Sequence, residues 1–444
     1  MVRALTTITF LGGVQEIGGN KFLLKDRDTK ILLDFGMSYA ERRRFYHEPW
    51  LSPRDEKSLI EFGVLPRIRG VYRFDDSSPS IDAILLTHAH ADHSRYVSLI
   101  KREIPVYCGE ATATILTALS KTMTHDFESD IEGIQFRTFR TGAKIQIGSI
   151  SVHPCHVDHS VPAAYGFVLQ CSEGAIAYTV DFRMHGGKPE MTDDFVELAS
   201  EWRPGLLLAE GTNIAEAHIS SEQEVRLKIQ LLVEKTRGIV LANFAYSDID
   251  RLKTFYEVCR STGRTLAISL RQAYLLESLS ADASLELPDL NHDESIVAYR
   301  REKKRYADWE QVTIERCRTI DAADVKKDQR RYVMVCSLPD LTELLAIKPS
   351  PGSNFILSMS EPVNEEQEIE FEKMMNWLDH FGLPMYHAHS SGHIMPNDLR
   401  ISIERIKPAG VAAIHTEHGG LFSKYLGGSA KILVPSKGEK LKVF

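Results

Sequence analysis

The stretch THAHADHS, Thr87 to Ser94, follows the apolar run Ile84-Leu85-Leu86 and places three histidines and one aspartate within six positions. Alternate residues of an extended chain point the same way, so His88 and His90 can aim at one point. Where the chain turns, Asp92 and His93 can aim at a second point beside it. Imidazole and carboxylate together suit zinc, and manganese as an alternative. A single histidine is usually a satisfied polar residue, but an HxHxDH run directly after an apolar strand is poorly explained that way.

Four ligands do not fill two metal sites, so others must come from elsewhere in the chain. His159 in HVDHSVP and Asp181 at the strand end YTVDFR are the candidates. His153 and His156 are ambiguous neighbours; His159 is preferred for its loop context before Ser160 and Pro162. Asp34 ends the strand ILLDFG and reads as a carboxylate that orients the ligand loop, the plainer alternative being a turn-forming aspartate.

These residues need elements to hold them. Short strands and glycine turns fill the first half: residues 7–10, a hairpin of 21–25 with 30–34, then 83–87 ending at the motif. Residues 94–102 and 111–122 read as helices with a strand at 106–108 between them, and strands return over 144–180. The middle repeats strand, helix, strand, at 238–243, 247–261 and 265–269, and again at 332–337, 338–347 and 355–358. Such units build a parallel sheet with right-handed crossovers. The charged stretch 288–329 reads as outer helices and loops. A helix over 365–381 leads to a strand at 384–388, with His387 facing a core, and a last helix covers 398–406 before Pro408. The pattern is that of a layered α/β protein.

A length of 444 residues suits two domains, or one domain with an insertion. No apolar run reaches the roughly 18 residues a spanning helix needs, so no membrane partner is expected. The N-terminus lacks the apolar region and cleavage site of a secretory signal. The six scattered cysteines form no CxxC pair and read as reduced core thiols of a cytoplasmic protein. The net charge of −8 argues mildly against nucleic acid. Local basic clusters at Arg42–Arg44, Arg300–Arg305 and Lys326–Arg331 leave room for a positive groove.

The set HxHxDH, preceded by Asp34 and followed by His159 and Asp181, resembles the metallo-β-lactamase superfamily, and "GGVQEIGGN" resembles the start of ribonuclease J-type enzymes. Glu210 in "LAEGTN", His393 in "HSSGH" and His415 in "IHTE" look like motifs A, B and C of the β-CASP group. "NFAYSDIDRL" and "GRTLAISLRQ" resemble the β-CASP insert. The resemblance implies a four-layer αββα domain from residues 1–212 and 384–444, with an inserted parallel-sheet β-CASP domain at 213–383. It implies two Zn2+ per chain, with Mn2+ as the substitute, held by His88, His90, Asp92, His93, His159, Asp181 and His415, with Asp181 bridging them.

Under the same resemblance, Asp34, Asp181, Glu210 and His393 are catalytic, with His393 as proton donor and Glu210 holding its ring. His389, Ser391, Gly392 and Arg271 are the phosphate contacts, and His389 has a structural hydrogen bond as its plainer role. A histidine at motif C goes with RNA in that group, and valine with DNA. The expected activity is therefore 5′-exonucleolytic or endonucleolytic hydrolysis of single-stranded RNA. A β-CASP DNA nuclease, a small-molecule metallohydrolase and a non-catalytic scaffold are the competing readings. The chain departs from the ribonuclease J pattern at Ser94-Arg95-Tyr96, in place of a Gly-Gly pair, and at Leu270-Arg271-Gln272, in place of Gly-Arg-Ser. The sequence stops shortly after motif C, so the resemblance is not expected to extend to the C-terminal domain of bacterial ribonuclease J. Dimerisation is common in that family, but no feature of the sequence fixes a homodimer here.

Overall fold

A computed structural model describes residues 6–48, 50–123, 127–218, 220–360 and 365–444. The chain divides into two compact units. One runs up to Ala217 and resumes at Gly392–Phe444; the other is His218–Ser391.

The first unit is built on two seven-stranded sheets. One sheet runs Lys440–Lys442, Thr7–Gly12, Lys21–Asp26, Thr29–Leu33, Ala83–Leu85, Val106–Gly109, Phe136–Phe139. The other runs Ile432–Leu433, Val411–Ile414, Leu206–Glu210, Ala175–Tyr178, Tyr165–Gln170, Ile150–His156, Ile145–Ile147. Phe10, Phe22, Leu24 and Ile31 of the first pack into one core with Phe167, Val168, Ile176 and Leu207 of the second. Helices Pro189–Trp202 and Pro396–Ile406 add Phe195, Val196, Leu399 and Ile403 to that core. The unit is an αββα sandwich. Each sheet mixes antiparallel and parallel pairs, and Thr29–Leu33, Ala83–Leu85 and Val106–Gly109 run parallel. Their carboxyl ends therefore lie on one edge, and the loops leaving them carry Asp34 and the HxHxDH run.

The second unit has one seven-stranded sheet in which every pair is parallel. Its order is Thr319–Ile320, Ile296–Tyr299, Thr265–Ser269, Tyr332–Val335, Val240–Asn243, Asn354–Leu357, Met385–His387. Both faces are covered, which explains continuous apolar runs such as YVMV and NFIL in place of alternation. Arg251 ties this unit together from inside. Its guanidinium donates to Glu222 Oε1 at 2.7 Å, to the carbonyl of Ala388 at 3.0 Å and to the Ser358 hydroxyl.

The fold departs from the sequence reading at four places. The charged stretch 288–329 contains the fully buried strand Ile296–Tyr299, because a run of only four apolar residues sits between charged flanks. Residues 94–102 form no long helix: a turn at Ala91–Ser94 passes into a 3-10 segment at Arg95–Leu99. The unit boundaries fall after Ala217 and Ser391, beyond the expected 212 and 383, because Met385–His387 pairs with Asn354–Leu357 and belongs to the inserted sheet. His387 is exposed, since that strand is the sheet's edge. All six cysteines are buried and unbonded. Among the described residues no helix is long and apolar enough to cross a membrane.

Removing Arg251 breaks a buried ion pair, 2.7 Å from Glu222 Oε1, whereas the Arg226–Glu257 pair is half exposed on both sides. Arg251→Ala should therefore cost about 3–5 kcal/mol in denaturant unfolding. Arg226→Ala should cost about 1 kcal/mol or less. Equal effects from the two variants would contradict the structural role given to Arg251.

Candidate metal centre

The loop after Thr29–Leu33 is sewn to the HxHxDH loop by its backbone. Asp34 N–H donates to Leu85 O at 2.9 Å, Phe35 N–H to His93 O at 2.8 Å and Met37 N–H to Ala91 O at 2.9 Å. Gly36 is required there, because a Cβ would stand 1.7 Å from Asp92 O. Lys21 closes the third side. Its buried ammonium donates to the carbonyls of Gly19 and Gly36, each at 2.8 Å, and burial lowers it to about 8.

The chain next to the donors is held in costly conformations. Asp34, Val180 and His415 have φ of 56°, 59° and 50°. Non-glycine residues there cost about 1–3 kcal/mol each, and such strain concentrates at functional sites.

Two tetrads of ligand atoms result. His88, His90, His159 and Asp181 form one; Asp92, His93, Asp181 and His415 form the other; within each, the donor atoms lie within 4.8 Å of one another. In the first, His88 Nε2 lies 3.0 Å from His90 Nδ1, which lies 3.1 Å from His159 Nε2. Zinc–nitrogen bonds of about 2.0–2.1 Å in a tetrahedron put neighbouring nitrogens roughly 3.3 Å apart, so the spacing suits a shared cation. In the second, His415 Nε2 is 3.0 Å from Asp92 Oδ2, and His93 Nε2 is 3.1 Å from Asp181 Oδ2. Asp181 Oδ2 also lies 3.8 Å from His88 Nε2 and 3.8 Å from His415 Nε2, so one carboxylate borders both tetrads. Its other oxygen, Oδ1, is buried with no hydrogen-bond partner among the described residues. A buried carboxylate oxygen left in that state is costly unless a cation meets it.

The residues around the tetrads orient them. Asp34 Oδ2 stands 2.8 Å from His93 Nδ1 and accepts from the Tyr178 hydroxyl at 2.7 Å, while Oδ1 accepts from the Thr87 amide at 2.8 Å. His159 Nδ1 meets the Gly392 carbonyl at 2.7 Å, and Thr212 Oγ1 meets His415 Nδ1 at 2.8 Å. Partners of this kind fix which ring nitrogen faces inward. Arg183, next but one to Asp181, donates to Asp158, next to His159, at 3.2 Å.

The electrostatics differ between the tetrads. Burial, reinforced by neighbouring imidazoles, holds His88 and His159 well below the usual histidine range, and burial brings His90 down to about 4. Those three rings are neutral donors, the form that binds metals. Burial also opposes ionisation of Asp92 and Asp181, but the surrounding imidazoles outweigh it and hold both well below the usual carboxylate range. Burial opposes a charged His93 as well, and Asp181, Asp92 and Asp34 overcome it. Neutral imidazoles on one side and two carboxylates on the other make a donor set that fits two divalent cations.

Beside the second tetrad, His393 Nδ1 lies 3.3 Å from Glu210 Oε1 and 3.2 Å from Thr212 Oγ1. Burial disfavours its charge, yet Glu210 and Asp181 raise it to about 9. The His393 side chain keeps 22% of its surface, whereas Glu210 is fully buried.

The structure thus brings together His88, His90, Asp92, His93, His159, Asp181 and His415, with Asp34, Glu210, His393 and Gly392 around them. His389, Ser391 and Arg271 belong to the other unit, where Arg271 opens the helix Leu270–Leu279 with its guanidinium over the Tyr246 ring. Gly392 has its carbonyl on His159, and a Cβ there would approach His159 Cε1 to 3.0 Å. Thr87, Tyr178, Thr212 and Lys21 went unread in the sequence. The one available signal was position, since Thr87 and Tyr178 sit at strand ends beside the motif residues.

The fold and the paired donor clusters define a metallo-β-lactamase-type domain, and residues 31–202 match the model of the beta-lactamase superfamily domain. The chain is 23% identical over 432 residues to Ribonuclease J of Mycoplasma genitalium, covering 93% of this chain and 68% of that protein. It is 22% identical over 428 residues to Ribonuclease J of Helicobacter pylori, covering 94% of this chain but only 56% of that one. Ribonuclease J2 of Bacillus subtilis is 23% identical over 424 residues, with 93% and 69% covered. A crystal structure of a protein of unknown function from Enterococcus faecalis V583 shares the fold, with a TM-score of 0.77 and 22% identity over 99% of this chain and all of that one. Residues 31–202 are thus similar to the beta-lactamase superfamily domain and nearly the whole chain to ribonuclease J proteins, which supports a ribonuclease J-like assignment within the β-CASP group.

Gly36→Ala should press its methyl group on the Asp92 carbonyl. The expected cost is about 1–3 kcal/mol or more in unfolding experiments, with metal uptake falling in parallel. Wild-type stability and metal content in that variant would show that the two loops are not locked as described.

Proposed function

We propose that the chain is a metal-dependent ribonuclease that hydrolyses phosphodiester bonds of single-stranded RNA, in RNA processing or decay. The observation that carries this reading is the sharing of Asp181 by two tetrads with the Glu210–His393 pair beside them. The names of the relatives supply the substrate class, and His415 at motif C agrees with RNA.

His88, His90, His159 and Asp181 would hold one Zn2+, and Asp92, His93, Asp181 and His415 the other, with Mn2+ able to substitute. When bound, such a pair supplies Lewis acidity toward a phosphoryl oxygen and an acidified water as nucleophile. Asp34 keeps the His93 ring turned inward. Glu210 also lies with His393 and His415 in a third group of donor atoms, within 4.8 Å of one another, but its oxygens accept from the amides of Ile394 at 3.1 Å and Thr212 at 3.0 Å, which turns the carboxylate toward the His393 ring. In this reading it serves to hold His393, whose Nδ1 is 3.3 Å from its Oε1. The charged, partly exposed His393 ring gives its proton to the departing ribose oxygen. His389, Ser391 and Arg271 grip phosphates, and Gly392 steadies His159. A single strand reaches such residues more readily than a duplex, and phosphate contacts give little sequence preference.

Two assays test this reading. Chelation should abolish cleavage of labelled single-stranded RNA, and zinc or manganese should restore it; hydrolysis of DNA or of a generic ester in place of RNA would overturn the proposal. His393→Ala should slow RNA cleavage about 100- to 10,000-fold, the usual range for acid–base catalysis. It should slow bis-nitrophenyl phosphate far less, because nitrophenolate leaves with little protonation. Equal damage to both substrates, with loss of metal, would make His393 a ligand instead of the acid.

A further inference from the structure

Thr212 comes two residues after Glu210, the end of a buried strand, and its hydroxyl stands between two imidazoles with different duties. Thr212 Oγ1 lies 2.8 Å from His415 Nδ1 and 3.2 Å from His393 Nδ1, and it donates to the His415 carbonyl at 3.2 Å. The two rings stack with centroids 5.3 Å apart, and both present Nδ1 to the same oxygen.

A hydroxyl has one proton to give and two lone pairs to offer. The Thr212 proton is engaged by the His415 carbonyl, so Oγ1 is the acceptor in both ring contacts. A ring nitrogen can donate to it only when that nitrogen carries hydrogen. A proton on His415 Nδ1 leaves Nε2 bare, and Nε2 is the atom that faces Asp92 Oδ2 at 3.0 Å in the second tetrad. A proton on His393 Nδ1, shared between Thr212 Oγ1 and Glu210 Oε1, leaves the transferable proton on Nε2. One hydroxyl thus sets the tautomer of the ring that would meet the second cation and of the ring that would give the proton.

We infer that Thr212 is a positioning residue that couples the second cation to the proton donor, through the single oxygen on which His415 and His393 converge. The duties of the two rings rest on the ribonuclease reading; the shared oxygen does not. The main chain here is held without the hydroxyl. Gly211 N–H donates to Ile414 O at 3.1 Å, Thr212 N–H to Glu210 Oε2 at 3.0 Å, and Asn213 Nδ2 to the His393 carbonyl at 2.8 Å. Thr212→Val therefore keeps the shape and the backbone contacts and removes the hydroxyl.

The test uses the full chain, zinc itself as the probe, and the variants Thr212→Val, Thr212→Ala and Thr212→Ser. Competition with a chelator gives the affinity for each zinc ion. Cleavage is measured at saturating zinc on single-stranded RNA and on bis-nitrophenyl phosphate. Val and Ala should each weaken one ion about 10- to 100-fold, the usual cost of losing a ligand's outer partner. It should be the ion that His415→Ala also loses. At saturating zinc, RNA cleavage should still be slower by about tenfold, the scale of one lost hydrogen bond to a charged ring. Bis-nitrophenyl phosphate should be slowed far less, because its leaving group needs little protonation. Ser, which restores the hydroxyl, should recover both properties. A change in zinc affinity with an unaltered ratio between the substrates, or the reverse, shows no coupling and overturns the inference, as does Ser behaving like Val. Wild-type protein that holds two zinc ions and cleaves RNA, beside a Val variant indistinguishable from it, removes only this inference. Wild-type protein that holds zinc but spares RNA removes the ribonuclease reading and the proton-donor half with it. The zinc affinity of the Val variant then decides whether Thr212 positions His415.

Discussion

Four carboxylates, those of Asp34, Asp92, Asp181 and Glu210, are gathered into one region of the αββα unit, and three of them are essentially shut off from water. A buried carboxylate is tolerable only when hydrogen bonds, imidazolium or metal ions meet it. Asp34 is met by Thr87, Tyr178 and His93, and Glu210 by two main-chain amides and His393. Asp181 has His93 on Oδ2 and nothing on Oδ1 among the described residues. The rest of the centre follows from that imbalance. The three imidazoles of the first tetrad are kept neutral by burial and cannot cancel the charge, so the arrangement is one that cations on either side of Asp181 would complete.

The αββα scaffold makes this possible by ending strands together. Asp34, His88, Asp181, Glu210 and His415 each end or closely follow a strand, and they come from both sheets. The left-handed turns at Asp34, Val180 and His415, the absence of a side chain at Gly36 and the Lys21 bridge between two carbonyls are the local costs of convergence. The two sheets share one large apolar core, which can hold such strained segments in place.

Much of this was legible in the sequence because the donors are of uncommon type and stand at strand ends, where HxHxDH, His159, Asp181, Glu210, His393 and His415 can be picked out. Their supports were not legible. Tyr178 and Asp34 are 144 positions apart, His159 and Gly392 are 233 apart, and neither pair has a local pattern. Parallel-sheet segments such as Thr265–Ser269 were readable from their apolar runs next to an amphipathic helix. The short buried strand Ile296–Tyr299 was masked by charged neighbours, and the edge position of Met385–His387 depends on a pairing that no local pattern encodes.

The central claim is that one carboxylate, Asp181, is shared by two bound cations. Anomalous diffraction from crystals grown with zinc, recorded at the zinc edge, tests it directly. The account predicts two peaks about 3.5–4 Å apart, one against His88, His90 and His159 and one against Asp92, His93 and His415, with Asp181 touching both. A single peak, or a pair of which only one touches Asp181, would contradict it.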